Sequence, residues 1–213
     1  MKQKRLILLL VLGFVALNSF SKTKKYGTWI EFEFSKEFFD KFEISFIPEI
    51  RFQDDFTVDE YMFDGKLSYS PLNFLDFAVL YRVNTNIKNK GNETLGRFAF
   101  DATLQKDFGR FEASIRGRYT NYLELEEDDS DKKYLRPRVK LEYDIKGNKI
   151  RPFASFELFQ NLTDKEFDKS RIDIGATRKI GDLHRVGAYY RLQNYFSDKN
   201  SIHILGLEYR LKF

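Results

Sequence analysis

His184 and His203 are the only histidines in the 213-residue chain, and it has no cysteine. Without thiols, cysteine nucleophiles, disulfide frameworks and zinc–thiolate sites are excluded. Two imidazoles are a poor basis for a multi-histidine metal centre. Read by alternation, His184 shares a face with Val186 and Ala188, and His203 shares one with Leu205 and Leu207. One opens its segment beside a tight turn and the other opens the next beside a loop. They are therefore expected at opposite ends of the elements that carry them, too far apart for a shared metal or a proton relay. Ser201 precedes His203 by two residues on the same face. A lipid-acting hydrolase could use such a Ser–His pair, but no carboxylate stands where it would orient the imidazole. No catalytic residue, metal or cofactor is assigned.

The strongest ionisable pattern is built on arginine. Arg116, Arg118, Arg136, Arg138 and Arg151, with Glu142 and Glu157, recur at alternate positions in three successive segments. They form the candidate site, a charged cluster on one face of a sheet. Guanidinium groups bind carboxylates in bidentate fashion, so the cluster could be a cross-strand lattice that plugs a narrow lumen. The lattice is the favoured reading; the alternative is a water-filled pore that draws anions into it. Other runs offer less. The acidic stretch 124–131 lacks the spacing and the glycine turn of a calcium loop, and reads as a solvated loop. Gly175 and Gly187 lie in strand-like runs with no phosphate-loop spacing, where glycine marks a bend or close packing.

The elements that carry these residues repeat with period two, and no stretch sustains a period of 3.6. In 135–145, Leu135, Pro137, Val139, Leu141, Tyr143 and Ile145 oppose Arg136, Arg138, Lys140, Glu142 and Asp144. The same alternation occupies 28–34, 42–52, 61–69, 77–85, 98–104, 111–119, 150–159, 172–179, 186–195 and 205–213, with Ile47 breaking it. Short turns carrying Gly, Asn, Asp and Pro alternate with longer charged loops such as 88–93, 124–133 and 162–169. Charged residues are 32% and aromatics 17% of the chain, a pairing that argues against disorder.

The first 21 residues read as a signal peptide: Lys2, Lys4 and Arg5, an apolar run 6–17, then Ser19-Phe20-Ser21 as a cleavage site. Without those three basic residues the formal net charge falls from +4 to +1, which gives no support to nucleic-acid binding. Residues 22–213 then form one domain. Charges fill the polar faces, and aromatics gather towards strand ends at Phe42, Phe77, Phe111, Tyr122, Tyr195 and Phe213. That pattern predicts an all-β fold, an antiparallel transmembrane β-barrel in up-and-down meander, located in a bacterial outer membrane. Eleven segments alternate, but bacterial single-chain barrels use even numbers, so ten or twelve strands are expected. Pro48 and Pro137 suggest bulges. The expected partners are the lipid bilayer and, through the last strand ending at Phe213, the barrel-insertion machinery. The expected role is structural, or that of a narrow, largely plugged pore or transport-type barrel. The alternatives are a lipid-acting enzyme or a soluble periplasmic barrel that binds a small apolar ligand.

Trp29, then Ser35-Lys36, then Glu49 and Arg51, then the aromatic hairpin through Tyr81-Arg82, follow one another as in an uncharacterised family. The chain resembles the domain of unknown function 2490 family of outer-membrane-type β-barrel proteins. The resemblance implies a first strand with Trp29 and a short turn at Ser35-Lys36. The family has no agreed activity, so the resemblance implies no functional residue.

Overall fold

The computed structural model describes residues 23–88, 91–124, 132–197 and 200–213. The expected signal segment 1–21 and the acidic run after Glu124 lie outside the described residues. Eleven strands follow one another: β1 Thr23–Phe38, β2 Phe42–Phe52, β3 Val58–Leu72, β4 Leu75–Asn86, β5 Glu93–Phe108, β6 Phe111–Glu124, β7 Lys133–Tyr143, β8 Ile150–Asn161, β9 Glu166–Ile180, β10 His184–Tyr195 and β11 Asn200–Lys212. Each pairs with its sequence neighbours, and β1 pairs with β11 to close the barrel. Among the described residues, no strand edge is left to template pairing with another chain.

The strand number is eleven, not ten or twelve. An odd number forces the first and last strands to run the same way. The closing ladder is accordingly parallel, in continuous register from Thr23↔Asn200 to Ser35↔Lys212. Every other ladder is antiparallel. Hairpin alternation does not reveal the seam, because it is the one pairing with no turn beside it. The first alternating run is the middle of a full 16-residue strand. β1 therefore starts at the rim that carries the longer loops, and β11 ends at the rim of short turns.

The register is staggered. Partner by partner round the ring from Phe38, the path returns to β1 at Lys24, fourteen residues earlier. A stagger of that size on eleven strands tilts them by roughly 40–45° from the barrel axis.

Neither proline makes a bulge. Pro48 stays in register opposite Phe63, and Pro137 opposite Gly117. Each leaves a gap on its other side, where the missing N–H would have bonded, and the register resumes unchanged. The shifts lie at Arg51/Phe52, Tyr69/Leu72 and Phe159/Gln160. Ser35 and Lys36 are inside β1. The first turn comes later, where Phe39 (φ 50°) and Asp40 (φ 56°) both take the left-handed conformation. Such turns match the twist of the flanking strands.

The barrel is inside-out relative to a water-soluble domain. Phe46, Leu104, Ile115, Val139 and Leu205 are each at least 50% exposed on the outside, whereas Glu33, Glu49, Asp64, Arg136 and Glu157 are at most 5% exposed within. Ile47 keeps its parity and points inward, buried at 8%. Aromatic side chains gather around the turn rim, Phe38 stacked on Phe42 and Phe42 on Tyr69 with ring centroids 5.6 and 4.7 Å apart, and Phe111 tilted against Tyr143 at 4.9 Å. Tyr195 does not join a girdle. It faces the lumen and accepts a hydrogen bond from Gln193 Nε2 at 2.5 Å. The side chain of Tyr122 is outside the described set.

The wall is closely fitted where β10 meets its neighbours. Tyr189 lies flat across Gly206 of β11, so that a Cβ on Gly206 would stand 2.0 Å from the ring. Glu208 fills the space over Gly187 in the same way, at 2.4 Å. Glycine is needed here for close approach, with ordinary extended backbone.

Candidate functional site: the charged lumen

Inward-facing residues enclose a cavity of about 1340 Å³ that reaches both rims, touching Glu37 and Lys41 at the turns and Asp54 and Asn86 at the loops. Its lining is mostly polar and charged, with the two signs gathered on different walls.

The basic wall runs over β6–β10. Cross-strand pairing sets Arg116 directly opposite Arg138, and Arg118 opposite Arg136. Like charges in that relation repel, so carboxylates must stand between them. Glu157 on β8 serves three guanidinium groups: Arg116 at 2.6 Å, Arg136 at 3.2 Å and Arg171 at 3.9 Å. Asp101 on β5 takes Arg118 through both carboxylate oxygens at 2.6 Å. Arg191 and Asp173 form another two-bond pair at 2.7 and 2.9 Å. Such fork-to-fork pairs fix side-chain direction as well as charge. Arg138 faces the same cavity but makes no hydrogen bond or ion pair to any described residue.

The acidic wall runs over β11, β1, β2 and β3. Register sets Glu31 between Glu208 on β11 and Glu49 on β2. Glu49 is held by Arg51 at 2.7 Å and Arg82 at 3.4 Å, and Glu33 by Lys66 at 3.1 Å and by Arg210. Arg82 also grips Asp64 through two bonds of 2.5 and 2.7 Å. Glu31, like Arg138, lines the cavity with no such partner among the described residues.

Trp29 connects the two walls. Its parity with Glu31 and Glu33 turns it inward, and three guanidinium groups gather over its ring: Arg51 at 3.6 Å, Arg191 at 4.9 Å and Arg171 at 5.4 Å. A ring quadrupole attracts cations in this geometry. Sequence reading places Trp29 on the first strand but does not show that it reaches β9 and β10. Closure through β11 brings those strands near.

Of the seven residues of the candidate cluster, Arg116, Arg118, Arg136, Arg138 and Glu157 come together. Glu142 and Arg151 do not join them. Glu142 pairs with Lys140 at 2.5 Å towards the turn rim. Arg151 lies at that rim, half-exposed, 3.6 Å from Glu112 and 3.8 Å from Asp144. The cluster also takes in Arg171 and Asp101, which parity directs inward but which lie on strands outside the three considered.

The histidines stand at opposite rims on the outer face. His184 Nδ1 meets the Tyr209 hydroxyl at 2.7 Å. His203 stacks on Tyr26 at 5.2 Å and hydrogen-bonds the Tyr190 hydroxyl through Nδ1. Ser201 Oγ is 3.4 Å from His203 Nε2. Ser201 is only 2% exposed, and a neutral tyrosine occupies the ring nitrogen that a carboxylate would have to orient. The arrangement does not make an activated nucleophile.

Among the described residues, no group of three or more His, Asp or Glu converges as metal ligands. Comparison with curated proteins finds no match. The family described as protein of unknown function DUF2490 matches residues 26–203, from the first strand into the last. The chain therefore belongs to that family.

Proposed function

We propose that the protein is an outer-membrane β-barrel whose charged lumen forms a narrow aqueous passage for small polar solutes. One observation carries this reading: an apolar outer surface encircles a cavity of about 1340 Å³ lined by ion pairs. In water the exposed Phe, Leu, Ile and Val would form an apolar surface far beyond the few hundred Å² usual on soluble monomers. In a bilayer the same surface is matched to hydrocarbon. Backbone satisfaction supports the reading too, because a closed sheet leaves no unpaired ladder for lipid. The shortest strands have 11 residues, the length a tilted strand needs to cross. Turn-rim aromatics and the Tyr26–His203–Tyr190 group at the loop rim suit the two interfaces. A soluble barrel for an apolar ligand would need the opposite orientation.

Fractionation tests the placement. The protein is expected in outer membranes, and the folded form should run faster than the boiled form on a gel. Recovery in the soluble fraction, with no mobility difference, sinks the proposal. Planar-bilayer recording tests the passage: small conductance with weak anion preference is expected, because the basic wall is the longer one. Absence of conductance in a heat-modifiable, membrane-inserted protein would leave a structural barrel instead.

A further inference from the structure

Two lumen charges with no hydrogen bond or ion pair among the described residues, Glu31 and Arg138, are placed like the two halves of one binding site. Glu31 is on β1 and Arg138 on β7, and in an eleven-membered ring β7 stands across from β1. Following the register and its stagger round the barrel brings the two residues to nearly the same height, at mid-barrel. Both line the same cavity.

Each sits where its own sign is concentrated. Glu31 is flanked in register by Glu208 and Glu49, and Arg138 lies opposite Arg116. Like charges directly opposite on paired strands are unfavourable. Two of these neighbours are relieved by internal partners: Glu49 has Arg51 and Arg82, and Arg116 has Glu157. Glu31 and Arg138 make no such direct bond and feel an opposite charge only at longer range, Arg82 for the first and Glu157 for the second, so both are left facing whatever fills the cavity. An eleven-stranded barrel with this tilt has a backbone diameter of roughly 20 Å. Side chains reaching in from both sides leave a gap on the order of 10 Å between the carboxylate and the guanidinium. The gap is too wide for a direct ion pair. It suits a small solute with an ammonium at one end and a carboxylate at the other.

We infer that this mid-barrel belt binds small zwitterions of the amino acid or dipeptide class, the ammonium on Glu31 and the carboxylate on Arg138. The inference rests on the transport reading and adds its solute class. A simple anion engages one wall and a simple cation the other. Only a dipolar solute engages both, and the field between the walls orients it as it enters. Trp29, held beneath Arg51, Arg171 and Arg191, narrows the lumen on the loop side of the belt, which favours small solutes.

The test is calorimetric titration of the refolded, heat-modifiable full barrel with three probes: glycylglycine, N-acetylglycine and glycinamide. Glycylglycine should bind at least tenfold more tightly than either single-charge probe. Glu31→Gln and Arg138→Gln, which keep size and shape, should each reduce its binding at least tenfold while leaving N-acetylglycine (for the first) and glycinamide (for the second) unaffected. The wild-type probe series needs no variant to fold. Equal binding of glycylglycine and N-acetylglycine, or no binding of any probe, overturns the inference. Because the preparation is already heat-modifiable, either result counts against the solute class and leaves the folded barrel standing.

Discussion

At the scale of single residues, alternation fixes which face a side chain takes but not its height in the barrel. Parity sends both Arg116 and Arg151 inward. Only the register shows Arg116 at mid-barrel on Glu157 and Arg151 at the turn rim beside Glu112 and Asp144. Parity also makes Glu157 an inward acid without showing that three arginines share it. Removing a buried carboxylate from such a group leaves uncompensated charge, at a cost of about 3–5 kcal/mol. Glu157→Gln should therefore lower the unfolding free energy of the folded barrel, read from denaturant titration, by that amount, and Lys88→Gln, on an exposed loop pair, should leave it nearly unchanged. The glycines of β11 and β10 carry a second expectation. In Gly206→Ala the new methyl would stand 2.0 Å from the Tyr189 ring, which must move, at a cost of about 1–3 kcal/mol for overpacking. The penalty should shrink in a Tyr189→Ala background, since the two residues contend for one space. Equal penalties in both backgrounds would show that the ring does not lie there.

At the scale of elements, every strand is legible in the sequence because each alternates around a solvent-like interior and an apolar exterior. The turns are legible where Gly, Asn or Asp marks them, as at Gly109 (φ 66°) and Gly181 (φ 64°). The turn at Phe39-Asp40 carries no glycine, and its single Asp does not mark it; the family resemblance implies Ser35-Lys36 instead. The seam between β1 and β11 leaves no local mark at all. It can be tested directly, since the chain has no native cysteine to confuse a cross-link. Ile30 and Leu207 are partners in the parallel ladder and both face outward. Ile30→Cys with Leu207→Cys should cross-link on mild oxidation and shift on a non-reducing gel. Ile30→Cys with Leu135→Cys, on the far side of the ring, should not. The reverse result would mean that the barrel closes elsewhere.

At the scale of the whole molecule, the separation of charge is a property of closure. Listed along the chain, acids and bases of the lumen look evenly mixed. Rolled into a ring, β1–β3 and β11 bring carboxylates together while β6–β10 bring guanidinium groups together. The lattice that fills the lumen is therefore a pair of opposed walls with a cavity between them, rather than a uniform plug. The odd number of strands has a topological result as well. A meander of even count brings head and tail back to one side of the layer it pierces. If the barrel spans a membrane as proposed, its eleven passes leave Thr23 and Phe213 on opposite sides. An epitope ahead of Thr23 and one behind Phe213 would then report from different compartments, and an antibody offered to intact cells would reach only one of them.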